Sequence, residues 1–235
     1  MNTLDSFASA VALPWLDMAA LMWFAFCWLG YIRYTNYTDT QHPTLRSEMG
    51  KFTRQWMVRM VERDNRMMDV NIIRNLSRAA QFFASTTLLV LGALVAMMGY
   101  AEKAAGVLAE LPFAQQVPER VWEMKILLLI FIFLYAFFKL ILAIRQFGVC
   151  TVLVGATKVV PDDAELYAPH IDRIATIVSF ANRNFNTGLR GYYFGVAALS
   201  WFLHPVLMVV VTIGVVYILY QRDFRSKTLQ LLAEE

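Results

Sequence analysis

The chain has 235 residues, of which 58% are hydrophobic and 17% are charged, and its formal net charge is +3. Its mean hydropathy of +0.48 is far above what a soluble domain of this length needs for its core, which excludes an ordinary soluble globular protein. The small positive charge, without any nucleic-acid-binding motif, also excludes a nucleic-acid-binding protein.

Four apolar windows are each long enough to cross a hydrocarbon core, which takes roughly 20 helical residues. They cover residues 13–32, 79–100, 121–144 and 192–220. The fourth exceeds the bilayer thickness, so it must tilt, kink or project. The windows lack the polar face that a helix of a globular bundle would show. We therefore predict an all-α polytopic integral membrane protein with four transmembrane helices, forming a single membrane domain over 1–235.

Lysine and arginine are concentrated in the segment between the first two windows, 33–78, and in the segment between the last two, 145–190. By the positive-inside rule both segments lie in the cytoplasm, so both chain ends lie outside. A basic cluster at Arg222, Arg225 and Lys227 disagrees with an external C-terminus, but the two loops outweigh it. No basic leader precedes the first window, so we expect it to stay as an anchor in a bacterial inner membrane.

The two halves of the chain show an approximate internal repeat. An offset of 112 residues places Arg33 on Arg145 and Arg78 on Arg190, and it lays the first two windows on the last two. We predict two parallel helix-loop-helix units related by an axis along the membrane normal. Chance alignment of two helical hairpins is the alternative.

The first loop has the pattern of an amphipathic helix. Apolar residues recur there at steps of three or four: Leu45, Met49, Phe52, Trp56 and Met60. Several arginines occupy another face, so this basic helix is expected to lie on the anionic lipids of the inner leaflet, or to pack against the third loop or a neighbouring subunit. The sequence thus predicts a helical cytoplasmic layer.

The acidic residues near two predicted helix starts have ordinary structural explanations. Pro161 followed by Asp162, Asp163 and Glu165 is typical of a helix start, because carboxylates in a first turn face the helix dipole. A divalent metal site is the alternative for this trio. Asp17 likewise follows Pro14 closely and is interpreted as a first-turn carboxylate rather than a proton relay.

Two polar stripes run along the predicted helices into the membrane. The second is formed at steps of four, four and three by Asn182, Asn186, Arg190 and Tyr193, and Gly188 and Gly191 beside it permit a close helix approach or a kink. The first is formed by Asn71, Asn75, Arg78, Gln81 and Ser85. Lipid cannot satisfy these groups, so the stripes should face protein or a water-filled cavity. They either tie helices together or form a vestibule that attracts anions or hydrated solutes.

Further polar residues lie within the third and fourth windows. Lys139 either snorkels to the inner interface or faces a cavity. Pro205 has no N–H for the carbonyl of Trp201, so it should kink the helix. That carbonyl, Ser200 and His204 are a possible deep polar site, in which the imidazole gates or relays protons, or else a locally satisfied kink.

Sequence signatures of catalysis and of cofactor binding are absent. There is no HExxH, GxSxG, GxxxxGK[ST] or GxGxxG pattern, and His42, His170 and His204 are too scattered for a ligand cluster. Cys27 and Cys150 form no CxxC pair, so we expect no disulfide and no cysteine-bound metal. We expect a protein that is not an enzyme and that holds no metal or cofactor.

Several short motifs carry a family resemblance. They are FNTGLRGYYF at 185–194, Arg145-Gln146-Phe147, Cys150, Gly155-Ala156 and Ser200-Trp201-Phe202. With them the chain resembles the membrane protein family catalogued as domain of unknown function 599, found in bacteria and plants. The resemblance implies a four-helix membrane protein and implies no activity.

Two functions are consistent with these patterns. The first is a homo-oligomeric channel or transporter for a small ion or solute, biased toward anions by the arginines of the stripes. The second is a non-catalytic membrane scaffold that docks another membrane protein. In either case four helices bury little polar surface alone, so a homo-oligomer is expected to cover the stripes.

Overall fold

The structure is a computed structural model that describes residues 15–38, 44–100, 119–159 and 167–233. Within these ranges every regular element is an α-helix, as the sequence predicted. In chain order the helices are α1 (Trp15–Thr38), α2 (Leu45–Glu62), α3 (Met67–Met98), α4 (Glu119–Ala156), α5 (Ala168–Ser200), α6 (Pro205–Phe224) and α7 (Lys227–Ala233).

Four segments of the described chain are long and apolar enough to cross a membrane, which makes this a multi-pass membrane protein. They are Trp15–Thr35, Met67–Met98, Arg120–Ala156 and Pro205–Leu232. The first three predicted windows each coincide with one helix, α1, α3 or α4. However, α3 begins and α4 ends well inside segments that were predicted as loops, because apolar residues continue at helical spacing there.

The prediction of one continuous fourth helix over 192–220 is wrong. Helix α5 ends at Ser200, residues 201–203 form a turn, and α6 starts at Pro205. Proline suits a first helical position, where no N–H is needed, and the His204 side chain caps the new helix. The predicted kink is thus a complete chain reversal.

The reversal decides at which ends of the bundle α1 begins and α7 lies. At one end of the bundle Asp17 of α1 bonds Trp201, and at the other end Tyr31 of α1 bonds Asp223 near the end of α6. Helix α7 then packs against α2. Trp15 and α7 therefore lie at opposite ends of the bundle, whereas the sequence predicted both chain ends on one side.

Two hydrophobic cores are stacked along the bundle. The upper core joins mainly α1, α4, α5 and α6, and its largest buried members include Phe24, Ile132, Phe194 and Trp201. The lower core joins α2, α3, α4 and α5 around residues such as Met57, Met60, Ile73, Phe147 and Ile174. Helices α4 and α5 run through both cores, so they hold the two layers together.

Two glycines allow α4 and α5 to approach closely. A Cβ atom on Gly191 would lie 2.8 Å from the Cβ of Ala136, and one on Gly188 would lie 2.8 Å from the Cγ of Leu140. Neither position has room for a side chain. Of the two predicted roles for these glycines, a close approach and a kink, the close approach is the one observed, because α5 continues unbroken through both.

The two predicted units differ in how they pack. Helices α4 and α5 form an extensive antiparallel pair, whereas α1 packs on α6 and α3 packs on α4. The internal repeat therefore stays a prediction. Of the alternatives for the amphipathic helix, packing against the third loop is observed: α2 lies against α5 and buries Met57, Met60 and Val61 in the lower core. Met49, on the face predicted to be apolar, remains 47% exposed.

Candidate functional site

A cavity of about 470 Å³ lies where the two cores meet. Residues of α1, α2, α4, α5 and α6 surround it, with Leu76 contributed by α3. Its lining carries five cationic side chains and a single carboxylate: Arg46, Lys139, Arg183, Arg190, Arg222 and Asp223. The described wall of the cavity is therefore strongly positive.

Asp223 is the centre of the polar network in this wall. Its Oδ2 accepts hydrogen bonds from the Tyr31 hydroxyl and from Arg190 Nη2, both over 2.7 Å, and its Oδ1 accepts one from Arg222 Nε over 3.1 Å. Arg190 Nη1 also donates to the hydroxyl of Thr35 over 3.2 Å. One carboxylate thus ties α1, α5 and α6 together and offsets only part of the surrounding positive charge.

Three of the four residues of the second stripe reach the cavity. Asn182, Asn186 and Arg190 succeed one another at steps of four, so they share one face of α5, and this face lines the cavity. Tyr193 lies outside it, 36% exposed, and the Arg222 guanidinium lies 5.6 Å from its ring centroid. The polar stretch of α5 is therefore largely a cavity wall.

The residues of the first stripe do not meet those of the second. Asn75, Arg78, Gln81 and Ser85 are exposed on the outer surface of the bundle, and Asn71, partly exposed, accepts a hydrogen bond from Arg74. The opposite face of α3 packs inward with small residues, Ala80, Ala84 and Thr87. The stripe therefore lies on the free side of α3.

Lys139 lines the cavity, as one of its two interpretations expected. Its Nζ lies 5.6 Å from the ring centroid of Tyr135, one turn earlier on α4, and both residues belong to the lining. Nearby, the amide of Asn184 donates to Gln146 Oε1 over 2.9 Å and fixes this part of α5 against α4. Lys139 thus lines the same cavity as Arg183 and Arg190.

Ser200, His204 and Pro205 do not lie at mid-depth in one long helix, because the chain turns there. Ser200 Oγ donates to the carbonyl of Ala197 over 2.7 Å, and His204 Nδ1 accepts from the N–H of Val206 over 3.2 Å. These bonds are local to the α5–α6 turn, which corresponds to the satisfied kink rather than to a deep polar site.

A buried polar cluster closes the upper end of the bundle. Lys125 Nζ donates to the carbonyl of Trp201 over 2.9 Å and lies 3.9 Å from Asp17 Oδ1, which also accepts from Trp201 Nε1 over 2.7 Å. Both charged side chains are at most 1% exposed. Asp17 does lie in the first turn of α1, as predicted. The sequence analysis missed Lys125, whose signal was a lone cation between apolar residues.

Several cavity residues were also missed from sequence. Asp223 is the only acidic residue between Asp172 and Glu234, a signal that could have singled it out. Thr35, Arg46 and Arg183 gave no separate signal. The predicted helix start at Pro161, with the acidic trio beside it, falls outside the described residues.

The chemistry of the cavity follows from its lining. Guanidinium, ammonium, amide and hydroxyl groups supply many hydrogen-bond donors, and apolar side chains from all sides complete the wall. Such a set suits a negatively charged guest held by ion pairs and hydrogen bonds. In the described parts of the chain no group of three or more His, Cys, Asp or Glu residues is arranged to hold a metal ion.

The comparison with protein families gives one match. The family described as "Protein of unknown function, DUF599" matches residues 19–228, which include all of the cavity-lining residues. No curated protein and no solved structure matches the chain.

Proposed function

Given that the chain belongs to the DUF599 family of proteins of unknown function, we propose that it binds a small anion in the cavity and carries it across the bacterial inner membrane. The observation that carries this proposal is the charge of the described cavity wall, in which the described residues supply five cations and one carboxylate. In a water-poor site the attraction between these groups and an anion is several times stronger than in bulk water.

The closed upper end favours a transporter over an open channel. Above the cavity the bundle is filled by aromatic residues, among them Phe24, Trp28 and Phe194, with ring centroids 5.6 to 5.8 Å apart. The buried pair of Asp17 and Lys125 lies beyond them. Transport through this chain requires the upper core to open while the cavity closes.

The distribution of basic residues supports a cytoplasmic position for the lower layer. Helix α2 and the basic cluster of Arg222, Arg225 and Lys227 lie at the same end of the bundle. The positive-inside rule assigns that end to the cytoplasm. Under this proposal the cavity belongs to the cytoplasmic half, and the C-terminal helix is cytoplasmic rather than external.

Anion flux into proteoliposomes tests the proposal. We expect the purified protein to catalyse uptake of an anion from a panel that includes chloride, phosphate and small carboxylates. We expect Lys139→Gln and Arg190→Gln to reduce this uptake at least tenfold, since each removes a cation from the wall. Arg173→Gln is the matched control, because Arg173 is exposed on α5 and does not line the cavity. Equal flux in all four proteins, or none in any folded preparation, would rule the proposal out.

The exposed stripe of α3 is expected to be covered by another protein, which is a second copy of this chain in a homo-oligomer and a different membrane protein in the scaffold, the second candidate function. Arg78, Gln81 and Ser85 lie on the outer face of a helix apolar enough to span a membrane. Lipid satisfies such groups poorly, so a protein surface is expected to cover them, and we propose that a second copy of this chain does so.

Disulfide trapping tests the homo-oligomer. In a background without Cys27 and Cys150, Gln81→Cys should form a covalent dimer in membranes, and Thr151→Cys, on the partly buried face of α4, should not. A Gln81→Cys protein that stays monomeric at high expression, while co-purifying with a different membrane protein, would favour the scaffold instead.

A further inference from the structure

The size of the cavity is informative about its ligand. A volume of about 470 Å³ falls in the range of roughly 300–1,000 Å³ that is typical of pockets for organic ligands. A chloride or phosphate ion would occupy only a small part of it. The cations of the wall therefore account for the binding of a charged group in one part of the cavity. The remaining space is large enough for a further part of the ligand.

The remaining wall is apolar. Hydrophobic side chains from five different helices line the cavity together with the cations: Ile32, Leu45, Met49, Leu76, Phe185 and Phe224. Met49 is 47% exposed although it belongs to the predicted apolar face of α2, so its surface is free for contact. A wall of this kind gains nothing from an inorganic ion and is stabilised when an apolar group covers it.

Charged and apolar side chains of the lining come from the same helices. Helix α5 supplies Arg183 and Arg190 together with Phe185, and α2 supplies Arg46 together with Leu45 and Met49. The cavity also lies between the upper core of mainly membrane-spanning helices and the lower core formed with α2. Such a position, at the end of the spans α1 and α6, suits a molecule with one charged and one apolar part.

We propose that the cavity binds an amphipathic organic anion, with a phosphate or carboxylate head against Lys139, Arg183 and Arg190 and a hydrocarbon part against Met49, Phe185 and Leu76. This inference rests on the proposed function, because it names the class of anion that the same cavity takes. The head group can belong to an anionic lipid or to a water-soluble organic anion; the chemistry of recognition is shared.

Calorimetric titration of alkyl phosphates tests the chemical class. The full-length protein is placed in nanodiscs of neutral phosphatidylcholine and titrated with ethyl, butyl, hexyl and octyl phosphate, and with inorganic phosphate. Empty nanodiscs measure partition into lipid. We expect affinity for the protein to rise about fourfold for each added methylene, the gain typical of a buried CH₂ group.

Two variants separate the charged wall from the apolar wall. Lys139→Gln should lower the affinity for every alkyl phosphate by a similar factor, about tenfold. It is chosen because Lys139, unlike Arg190, takes no part in the Asp223 network. Met49→Asn should weaken the binding of octyl phosphate several-fold and leave the affinity for ethyl phosphate unchanged. The Arg173→Gln protein should bind each alkyl phosphate with the affinity of the parent protein.

A lipid-binding measurement identifies whether the head group belongs to a lipid or to a soluble anion. The parent protein and the Lys139→Gln protein are extracted from nanodiscs that contain phosphatidylglycerol and are compared by native mass spectrometry. If the ligand is a lipid, the parent should retain bound lipid and Lys139→Gln should not. Retained binding of octyl phosphate without retained lipid would identify a soluble anion instead. Either result supports the inference.

Different results would contradict the amphipathic ligand and the anion site. Binding of inorganic phosphate that depends on Lys139, with no gain from longer chains and no retained lipid, would overturn the amphipathic ligand and leave the anion site intact. No Lys139-dependent binding of any anion would overturn both.

Discussion

The ammonium group of Lys125 donates a 2.9 Å hydrogen bond to the main-chain carbonyl of Trp201, and both side chains are at most 1% exposed. This carbonyl lies just past the end of α5, where no following helical turn supplies a donor. A cation from α4 therefore supplies the bond that the chain reversal removes. The same ammonium lies 3.9 Å from the carboxylate of Asp17, so one residue links the turn to α1.

Replacing Lys125 should destabilise the upper end of the bundle. Lys125→Met leaves the Asp17 charge buried without its cation and the Trp201 carbonyl without its donor. Loss of one partner of a buried ion pair typically costs about 3–5 kcal/mol. Unfolding in a detergent mixture, followed by circular dichroism, measures the change.

A double variant separates charge from packing. Adding Asp17→Asn to Lys125→Met removes the unpaired carboxylate and should restore part of the lost stability. Lys158→Met, at an exposed side chain, should be neutral. A double variant that is less stable than Lys125→Met would show that the ion pair is not the source of the effect.

Gly191→Ala should destabilise the protein although alanine favours helices. The new Cβ would meet Ala136 Cβ at 2.8 Å, so α4 and α5 must separate. Overpacking of this kind typically costs about 1–3 kcal/mol. Gly148→Ala is the matched control, because that position has nothing within 4 Å and lies on an exposed face of α4. Its effect should be neutral or slightly stabilising, and a Gly191→Ala protein as stable as the control would contradict the observed packing.

Asp223→Asn should have opposite effects on stability and on ligand affinity. Arg190 and Arg222 lose their anionic acceptor, which should lower the free energy of unfolding by about 1.5–3 kcal/mol. The cavity wall loses the one carboxylate that the described residues contribute, so affinity for an anion should rise about tenfold. Unfolding and titration of the same preparation test both signs, and a fall in affinity would place the anion away from Asp223.

Membrane-impermeant thiol labelling tests the topology. In a background without Cys27 and Cys150, Gln55→Cys on α2 and Gln230→Cys on α7 should react from the same side of the membrane, since these helices pack together. Tyr100→Cys, past the end of α3, should react from the other side. Labelling of Gln230→Cys from the side of Tyr100→Cys would contradict the chain reversal at 201–204.

Three of the membrane-spanning helices and the polar face of α5 that lines the cavity could be predicted from the sequence. An apolar window long enough to cross a bilayer allows few structures other than a helix, so α1, α3 and α4 follow from composition. The steps of four between Asn182, Asn186 and Arg190 fix a common helix face whatever that face meets.

The direction of the chain after Ser200 could not be predicted from the sequence. A proline is compatible both with a kink and with the first turn of a new helix, and the choice depends on the packing of α6 against α1. The bond between Asp17 and Trp201 is one of the contacts that hold α1 at this turn, and these residues are 184 positions apart. No local pattern contains such a pair.

The face of α3 that packs within the chain could not be predicted from sequence. The sequence analysis expected Gln81 and Ser85 to face protein or a water-filled cavity, with a second copy of the chain as one way to cover them. The buried face instead carries Ala80, Ala84 and Thr87, whose small side chains let α3 approach α4. Between membrane helices, close backbone contact competes with the covering of polar groups, and here it prevails within the described chain.

The unbroken length of α4 and α5 has a mechanical consequence. They contain 38 and 33 residues, and at about 1.5 Å per residue they are rods roughly 57 and 50 Å long. The glycine contacts lie near their middle. A rigid tilt of about 5° around that point would displace each end by about 2–3 Å in opposite directions. Any tilt that moves α5 at Trp201 would therefore also move the end of α5 that packs against α2.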